Sequence, residues 1–360
     1  MHILKRIALA ISSPLFIVLL FATAFDVGFV RTATHPPTVK KLVADSGIYS
    51  AVVPSLLQQT KSISTNYGTA SVSNPIIKNA ANLALPPQFI QQNTEMAIDN
   101  VYQWLNSNIA VPNFNVDLSG SKALFANKVA DAVENRLSTL PACSASQNRQ
   151  IALSGQFDVF NATCSPGGSD PDSVIEQLRS SLASEQDFLP NTTINPANVK
   201  NGGSNQSIFN SQLKSAPKQF QLLKKSPFIL GLLTILTGVG IIFLSSTWQK
   251  GLRHVGINLV VIGVIMLIFS WAFNRVVSTN IVPKIRINDT VLQQDIRNLV
   301  TDLAQQIDKN YWYFGAIYTV LGVAAIGSAE IYRRKNLRVV PAGAEKPAIK
   351  ESPAPKAGRN

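Results

Sequence analysis

Four long apolar stretches constrain this chain more than any other feature of its sequence. The first opens the chain at residues 7–30, and the other three lie in its last third, at 228–244, 252–273 and 311–331. A helix crosses the roughly 30 Å core of a bilayer with about 20 apolar residues, and each stretch has about that length with almost no charge. The pattern predicts a multipass membrane protein with a long polar region between its first and second crossings.

These stretches divide the chain into six segments and predict an all-α membrane protein. We expect four transmembrane helices, with a mainly α-helical extracytoplasmic domain inserted between the first and the second. In chain order, the predicted segments are an N-terminal transmembrane anchor or signal peptide (1–30), the extracytoplasmic domain (31–226), a transmembrane helical hairpin (227–273), an extracytoplasmic amphipathic helix (274–310), a transmembrane helix (311–332) and a disordered basic cytoplasmic tail (333–360).

The basic residues predict the orientation in the membrane. Of the formal net charge of +12, the segment before the first stretch, the turn between the second and third, and the tail together hold +10. Short loops rich in Lys and Arg stay in the cytoplasm. We therefore expect both termini in the cytoplasm and the large loop outside it. Lys224 and Lys225 lie on the opposite side, where their long side chains can reach the outer headgroups.

The first apolar stretch has two interpretations. Lys5 and Arg6, an apolar core and then residues 22–24 are also typical of a cleavable secretory signal. The apolar run continues to Val30, and this length favours an uncleaved anchor. Asp26 interrupts the run and is a candidate intramembrane polar residue, close enough to the outer end to reach water. Both interpretations leave the large loop outside.

The chain has two cysteines, Cys143 and Cys164, and both lie in the predicted outside domain. An oxidising compartment favours their pairing. The bridge closes a loop of about 20 residues and stabilises the domain by roughly 3 kcal/mol in the chain-entropy model. Two free thiols or a metal-binding pair are the alternative.

Within the outside domain, helical periodicity is clearest after residues 86–87, two prolines, because apolar residues from Ile90 to Leu105 share one face. Residues 39–59 also have a helical pattern, with an expected break or kink. The range 66–84 is rich in Ser, Asn, Gly and Pro and is predicted to be a loop. Phe114 to Leu118 alternate apolar and polar, which predicts a short strand or an extended link.

The second outside segment contains an amphipathic pattern. Apolar residues recur at spacings of three and four from Leu292 to Ile307, after a candidate helix cap at Asp289. We expect this stripe to dock on the outside domain or to lie along the membrane surface. Pairing with another copy or with a partner helix is the alternative.

The three C-terminal stretches share a glycine pattern. Each contains Gly, six residues and then Gly-Val, so that its two glycines lie nearly two turns apart on one face. Small residues let membrane helices approach closely, and we therefore predict tight helix packing. The candidate helix-packing residues are Gly231, Gly238, Gly256, Gly263, Gly315 and Gly322.

Asn258 is the second candidate intramembrane polar residue. It can join helices by hydrogen bonding, or it can belong to a transport path. Ionisable residues normally mark such paths, and the apolar stretches contain almost none. Helix packing is therefore the favoured interpretation.

The sequence lacks the usual residues of catalysis in its outside domain. Its three histidines are His2, His35 and His254, and none lies where a Ser-His-Asp site or a His-ligated zinc site of that domain needs one. No phosphate-binding loop or nucleophile elbow is present. We therefore assign no catalytic residue and no metal ligand, expect no cofactor, and predict that the protein is not an enzyme.

Five short strings resemble a group of uncharacterised bacterial multipass membrane proteins with one N-terminal span, a two-cysteine extracytoplasmic helical domain and a C-terminal hydrophobic bundle. They are Leu85-Pro-Pro-Gln-Phe, Val101-Tyr-Gln-Trp-Leu, Asp117-Leu with Lys122, Leu140-Pro-Ala-Cys143, and Cys164 with Pro166. The resemblance implies a bacterial envelope setting and a disulfide, and it carries no activity.

These observations favour a non-enzymatic protein of the cell membrane that presents its outside domain for binding or scaffolding at the cell envelope. A subunit of a transporter or channel is the alternative. The expected partners are the lipid bilayer and either another envelope protein or a second copy of the chain. We expect no nucleic acid, because the basic tail is explained by the cytoplasmic orientation signal.

Overall fold

The computed structural model describes residues 2–337 except 61, 66, 155–156, 167–170, 185–187, 201–205 and 288. Most of this part of the chain is helical, and its four strands are only two to four residues long. The predicted all-α class is therefore confirmed. The helices are α1 (His2–Ala33), α2 (Pro36–Asp45), α3 (Ile48–Thr60), α4 (Pro75–Ala84), α5 (Pro87–Leu105), α6 (Ser119–Thr139), α7 (Ala145–Ser154), α8 (Pro171–Ser184), α9 (Ala216–Leu244), α10 (Trp248–Val276) and α11 (Thr290–Leu337).

Four helical stretches of the described chain are long and apolar enough to cross a membrane. They are Ile7–Ala33, Ala216–Leu244, Trp248–Lys284 and Thr290–Arg334. Each contains one of the four apolar stretches of the sequence. The structure thus supports a multipass membrane protein by the length and composition of its helices.

Helix α11 spans parts of three segments that the sequence analysis treats separately, and it extends the helix to Leu337, into the predicted disordered tail. Its 48 residues include the amphipathic pattern, the last apolar stretch and the first part of the predicted tail. At 1.5 Å per residue it is about 70 Å long, more than twice the thickness of a bilayer core. The rest of the predicted tail, 338–360, lies outside the described residues.

The chain divides into two compact units. Within the described residues, the bundle unit comprises 2–21, Gly231–Met266 and 314–337, and the large unit comprises Ala22–Leu230 and Leu267–Tyr313. The boundary falls within each of the four candidate spans. The predicted outside domain, 31–226, lies wholly within the large unit.

The core of the large unit forms where α4 and α8 pack against α6. The buried face of α6 has the spacing of an amphipathic helix, with Phe125, Val129 and Val133 almost fully covered. Phe125 packs against Phe188 with ring centroids 4.1 Å apart, and Leu178 of α8 is fully buried in the same cluster.

The predicted break in 39–59 lies between α2 and α3, at Gly47. Its φ of +88° is in the left-handed region that favours glycine. A Cβ at this position would lie 3.1 Å from a carboxylate oxygen of Asp295. Glycine therefore permits both the sharp turn and the close approach of α11.

The predicted loop at 66–84 is wrong for most of its length. Strands β1 (Ser62–Thr65) and β2 (Gly68–Ser71) form an antiparallel hairpin, and α4 follows. Asn74 caps α4 by accepting a hydrogen bond from the backbone N–H of Ile76, 2.9 Å away, with Pro75 at the first helical position. The Asn-Pro pair that resembles a turn is here a helix start.

A second antiparallel pair joins distant parts of the large unit. Strands β3 (Val116–Asp117) and β4 (Thr193–Ile194) pair Val116 with Ile194, and the Leu118 N–H donates to the Thr192 carbonyl at 2.7 Å. The predicted strand at 114–118 is confirmed for two residues. Its partner lies about 75 residues later.

The start of α11 docks on α3. Asp289 caps α11 by accepting hydrogen bonds from the backbone N–H groups of Val291 and Leu292, at 2.9 and 3.1 Å. Its carboxylate also accepts a hydrogen bond from the Ser55 hydroxyl of α3. The first turn of α11 therefore contacts α3, whereas the docking of the whole amphipathic stripe stays a prediction: Ile307 is buried and Leu303 is 37% exposed.

Candidate functional site

Helix α5 leaves much of its apolar face uncovered. Trp104 is the only fully buried residue among its 19. Ile90, Thr94 and Ala97, which the periodicity places on one face, are only half-buried. An amphipathic helix of a soluble domain normally packs this face against the core. An apolar face that stays open is a typical feature of a binding surface.

This face forms one wall of a groove of about 520 Å³ in the large unit. Its volume is in the range of about 300–1,000 Å³ that is typical of ligand sites. The groove is lined by side chains of α3, α5, both β3–β4 strands and the segment after α8: Val52, Leu56, Leu85, Phe89, Ile90, Asn93, Thr94, Ala97, Phe114, Val116, Leu118, Leu189, Pro190, Asn191 and Ile194.

The groove is assembled from segments with different degrees of exposure. Val116 and Leu118 are buried at its floor, and Ile194, opposite Val116 in the strand pair, is exposed at its rim. Leu56 of α3 and Phe89 of α5 form half-buried walls. Both walls belong to helices that pack against other elements of the large unit.

Leu189 has a strained backbone at the edge of the groove. Its φ is +51°, in the left-handed region that costs a non-glycine residue about 1–2 kcal/mol. Its side chain is buried, whereas the next residue, Pro190, is exposed. Both consecutive residues line the groove. Strain of this kind concentrates at functional sites.

The lining of the groove contains no charged side chain. Its polar members are Asn93, Thr94 and Asn191, and the Asn93 amide already donates to the Phe89 carbonyl of its own helix at 2.9 Å. A phosphate or carboxylate bound here would have no cationic partner among the lining residues, and burying such a charge unpaired is costly. The groove is suited to an uncharged, largely apolar group.

The predicted disulfide is confirmed. Cys143 and Cys164 are bonded, with their Cα atoms 4.8 Å apart. Beside the bridge, the Arg136 guanidinium donates to the carbonyls of Phe160 and Ala162. The bridge and this arginine fasten the end of α6 to the segment before α8. Neither cysteine lines the groove, so the bridge has a structural role.

Three of the predicted glycines lie at a close contact between α10 and α11 within the bundle unit. A Cβ at Gly322 would lie 2.6 Å from the Gly256 carbonyl oxygen. A Cβ at Gly263 would lie 2.8 Å from the Thr319 backbone nitrogen and would contact the Thr319 hydroxyl. No side chain larger than a hydrogen atom fits at these positions without moving the backbone.

The other three glycines have different surroundings. Gly315 contributes the carbonyl oxygen 2.9 Å from the Cβ position of Gly263. Gly238 faces the ring of Phe16 on α1, 3.1 Å from its Cβ position, whereas Gly231 has nothing within 4 Å. The shared sequence pattern thus corresponds to one helix–helix contact between α10 and α11, one α9–α1 contact and one open position.

The two candidate intramembrane polar residues each pair with a serine. The Asn258 amide donates to the Ser13 hydroxyl of α1 at 2.9 Å in the bundle unit. In the large unit, the Ser226 hydroxyl lies 2.8 and 2.9 Å from the two oxygens of Asp26. The sequence analysis missed Ser13, although a serine inside an apolar stretch signals a helix–helix hydrogen bond.

Within the described ranges, no group of three or more His, Cys, Asp and Glu side chains comes together in a way that could hold a metal ion. No protein-family model matches the chain, and no curated protein or solved structure is similar to it. The function is therefore argued from the groove and the spans alone.

Proposed function

We propose that this chain is a multipass membrane protein that presents its disulfide-containing domain outside the cytoplasm and binds an apolar segment of another envelope protein in the groove. The proposal assigns it a binding or scaffolding role and no catalysis. The apolar groove is the observation that carries this function. The bacterial setting is taken from the resemblance noted above.

The proposed orientation rests on charge and on the disulfide. The basic segments lie on one side of the four spans, and short basic loops stay in the cytoplasm. The bond between Cys143 and Cys164 fits an oxidising compartment on the other side. Both arguments assign the large loop to the outside of the cell membrane and the termini to the cytoplasm.

The chemistry of the groove favours a protein segment over a lipid. A phospholipid or a fatty acid has a charged headgroup, and the groove lining offers that group no charged partner. Asn93, Thr94 and Asn191 offer neutral polar atoms at the walls, which suit a peptide backbone. A helix or extended segment with two or three apolar side chains satisfies both features.

In the proposed orientation, the groove lies close to the membrane surface, near the end of the first span. The Tyr102 hydroxyl of α5 donates to the Ala33 carbonyl at the end of α1, at 2.5 Å, and burial raises the pKa of that hydroxyl. Along α5, the groove residues Ala97 and Phe89 are 5 and 13 positions from Tyr102, or about 8 and 20 Å at 1.5 Å per residue. A partner that is itself a membrane protein can reach this height.

The first span is proposed to remain as an uncleaved anchor. In the bundle unit α1 contacts all three other spans, through Phe16 against Gly238, Ser13 with Asn258, and the Leu20 carbonyl with the Tyr318 hydroxyl at 3.4 Å. Cleavage after residue 24 would remove these contacts. Intact mass measurement of the mature protein tests this point, because retention of residues 1–24 is expected and their loss contradicts the proposal.

Photo-cross-linking in native membranes tests the binding function. A photoreactive amino acid replaces Ile194 at the groove rim in the full-length chain. We expect a covalent adduct with one envelope protein, identified by mass spectrometry. Leu153 is 82% exposed and does not line the groove, so the same replacement there is the matched control and should give no such adduct.

Filling the groove provides the second arm of this experiment. Thr94→Trp adds an indole to the groove wall, and Gln92→Trp adds one to an exposed position outside the groove on the same helix. We expect only Thr94→Trp to abolish the adduct at Ile194. Equal labelling at Ile194 and Leu153, or an adduct that survives Thr94→Trp, contradicts the proposal.

One observation bears on a second candidate function, that of a subunit of a transporter or channel. Asn258 is buried at a position that belongs to a candidate span. Both hydrogen bonds between Asn258 and Ser13 stay within the bundle unit, which favours packing. Ion conductance of proteoliposomes that is present with wild-type protein and lost with Asn258→Leu supports transport, whereas equal conductance contradicts it.

A further inference from the structure

A second cavity, of a different character, lies between α10 and α11 in the large unit. Its volume is about 580 Å³. In contrast to the groove, it combines two tryptophans with an arginine, an aspartate and neutral polar groups. It is lined by Leu267, Ser270, Trp271, Asn274, Arg275, Ser278, Asp308 and Trp312.

The order of these residues along the two helices matches a membrane interface. On α10, Arg275 follows Trp271 by four residues, and on α11, Trp312 follows Asp308 by four residues. Because α10 ends at Val276 and α11 begins at Thr290, each charged residue lies one turn, or about 6 Å, nearer to the connecting segment than its tryptophan. Both helices therefore have charge towards the water and an indole towards the apolar core.

The two tryptophans face outward. Trp271 is 70% exposed and Trp312 is 55% exposed, far more than tryptophans of a soluble core. In membrane proteins, exposed tryptophans concentrate at the level of the lipid headgroups. The charged ends of the cavity then lie at the height of the phosphate and of the groups beyond it.

Arg275 and Asp308 do not neutralise each other. In the described part of the chain, neither side chain takes part in an ion pair. The buried Ser270 hydroxyl donates a hydrogen bond to one carboxylate oxygen of Asp308. An anion-binding group and a cation-binding group thus lie in one cavity, both open to a ligand.

We propose that this cavity binds the headgroup of phosphatidylethanolamine. The Arg275 guanidinium binds the phosphate, as guanidinium groups commonly do. The Asp308 carboxylate accepts a hydrogen bond from the primary ammonium group, and the two indoles border the start of the acyl chains. A choline headgroup has the same charges but no N–H donor, so the site distinguishes the two lipids.

This inference does not depend on the groove or on which side of the membrane the large unit faces. It requires only that α10 and α11 cross a bilayer. Failure of the groove experiment therefore leaves it intact, and the reverse also holds.

Native mass spectrometry of the full-length protein tests the site. Detergent micelles contain equal amounts of phosphatidylethanolamine, phosphatidylcholine and phosphatidylglycerol with identical acyl chains. For wild-type protein we expect about fivefold more adduct with phosphatidylethanolamine than with phosphatidylcholine, the upper range of a partly exposed ion pair. Equal binding of these two lipids overturns the proposal.

Two substitutions separate the two halves of the site. Asp308→Asn is expected to abolish the preference for phosphatidylethanolamine while binding of the three lipids together persists. Arg275→Gln is expected to lower binding of all three lipids. The matched controls Asp302→Asn on α11 and Arg286→Gln in the connecting segment lie outside the cavity and should behave as wild type.

Ser270→Ala is the control for a loss of lipid preference that altered packing of α10 on α11 would cause. It removes the hydroxyl that contacts Asp308 but keeps the carboxylate, so the lipid preference should persist. If Ser270→Ala abolishes the preference as fully as Asp308→Asn does, packing of α10 on α11 is the cause and the proposal is wrong. Soluble phosphoethanolamine is added in a separate arm, and displacement of the lipid at micromolar concentration would assign the site to a free metabolite instead.

Discussion

The bundle unit and the large unit bury their helix faces in different ways. In the bundle unit, α10 and α11 approach until backbone atoms of Gly256 and Gly322 nearly touch. In the large unit, side chains such as Phe125 fill the core, yet α5 keeps an apolar face half-covered. Lipid tails solvate apolar side chains, so membrane helices associate through close fit. In water, an uncovered apolar face carries a free-energy cost that a partner can relieve.

The largest effect is expected for a truncation in the core of the large unit. Phe125→Ala removes a ring that is 1% exposed and should lower the free energy of unfolding by about 3–5 kcal/mol. Hydrogen exchange of the full-length protein should show lost protection in α6 and α8. The neighbouring Leu124→Ala, at a position 39% exposed, is the control and should change little. Unchanged protection in α6 and α8 would contradict a central place for Phe125 in this core.

A smaller but complementary effect is expected at the glycine contact of the bundle unit. Gly263→Leu forces a side chain against the backbone of Thr319, and such overpacking costs about 1–3 kcal/mol. Gly231→Leu enters open space and should leave stability unchanged. Thermal unfolding of the protein in nanodiscs measures both. Equal midpoints for the two variants would show that close backbone approach does not hold α10 to α11.

The polar pair of the bundle unit should contribute less. Asn258→Leu breaks its hydrogen bonds with Ser13, and such bonds between membrane helices average about 0.6 kcal/mol. Ser13→Ala should have a similar effect, and the double variant should cost no more than either single one. Thermal unfolding midpoints in nanodiscs, measured for the wild type, both single variants and the double variant, give the coupling between the two side chains. Full additivity would show that the two side chains act independently.

The smallest effect concerns acid sensitivity where α11 docks on α3. The pKa of the Asp289 carboxyl lies below its ordinary value of 3.8, chiefly because the carboxylate accepts a hydrogen bond from Ser55. Hydrogen bonds from backbone N–H groups and from Gln59 also lower this pKa, whereas burial raises it. A carboxyl with a lowered folded pKa stabilises the protein above its unfolded pKa. That stability is lost as the pH falls through the folded pKa.

Protection of the backbone amides in the first turn of α11 from hydrogen exchange should therefore decrease as the pH falls below the unfolded pKa and through the lowered folded pKa of Asp289. Backbone NMR of the amides of Val291 and Leu292, the two groups that Asp289 caps, measures the change. Asp289→Asn should remove the pH dependence and Ser55→Ala should reduce it. An unchanged profile in Asp289→Asn would assign the acid sensitivity to other groups.

Local signals in the sequence predicted the helices better than they predicted the site. The candidate spans follow from length and hydropathy, and the start of α5 follows from its prolines. Residues 66–84 contain β2 and α4 in place of the predicted loop, because Asn and Pro serve helix starts, as at Asn74-Pro75, as well as turns. The periodicity predicts the shared apolar face of α5, but only neighbouring elements decide whether such a face is covered.

Periodicity and charge, which the sequence contains in full, determined four helices able to cross a membrane and an all-α class. Tertiary structure alone decided what depends on residues far apart in the chain. It brought Val116 opposite Ile194 to close the groove, joined Ser13 to Asn258, and left Arg275 and Asp308 in one cavity. Each of these arrangements depends on how helix faces pack, and packing is a property of several segments together and not of any one of them.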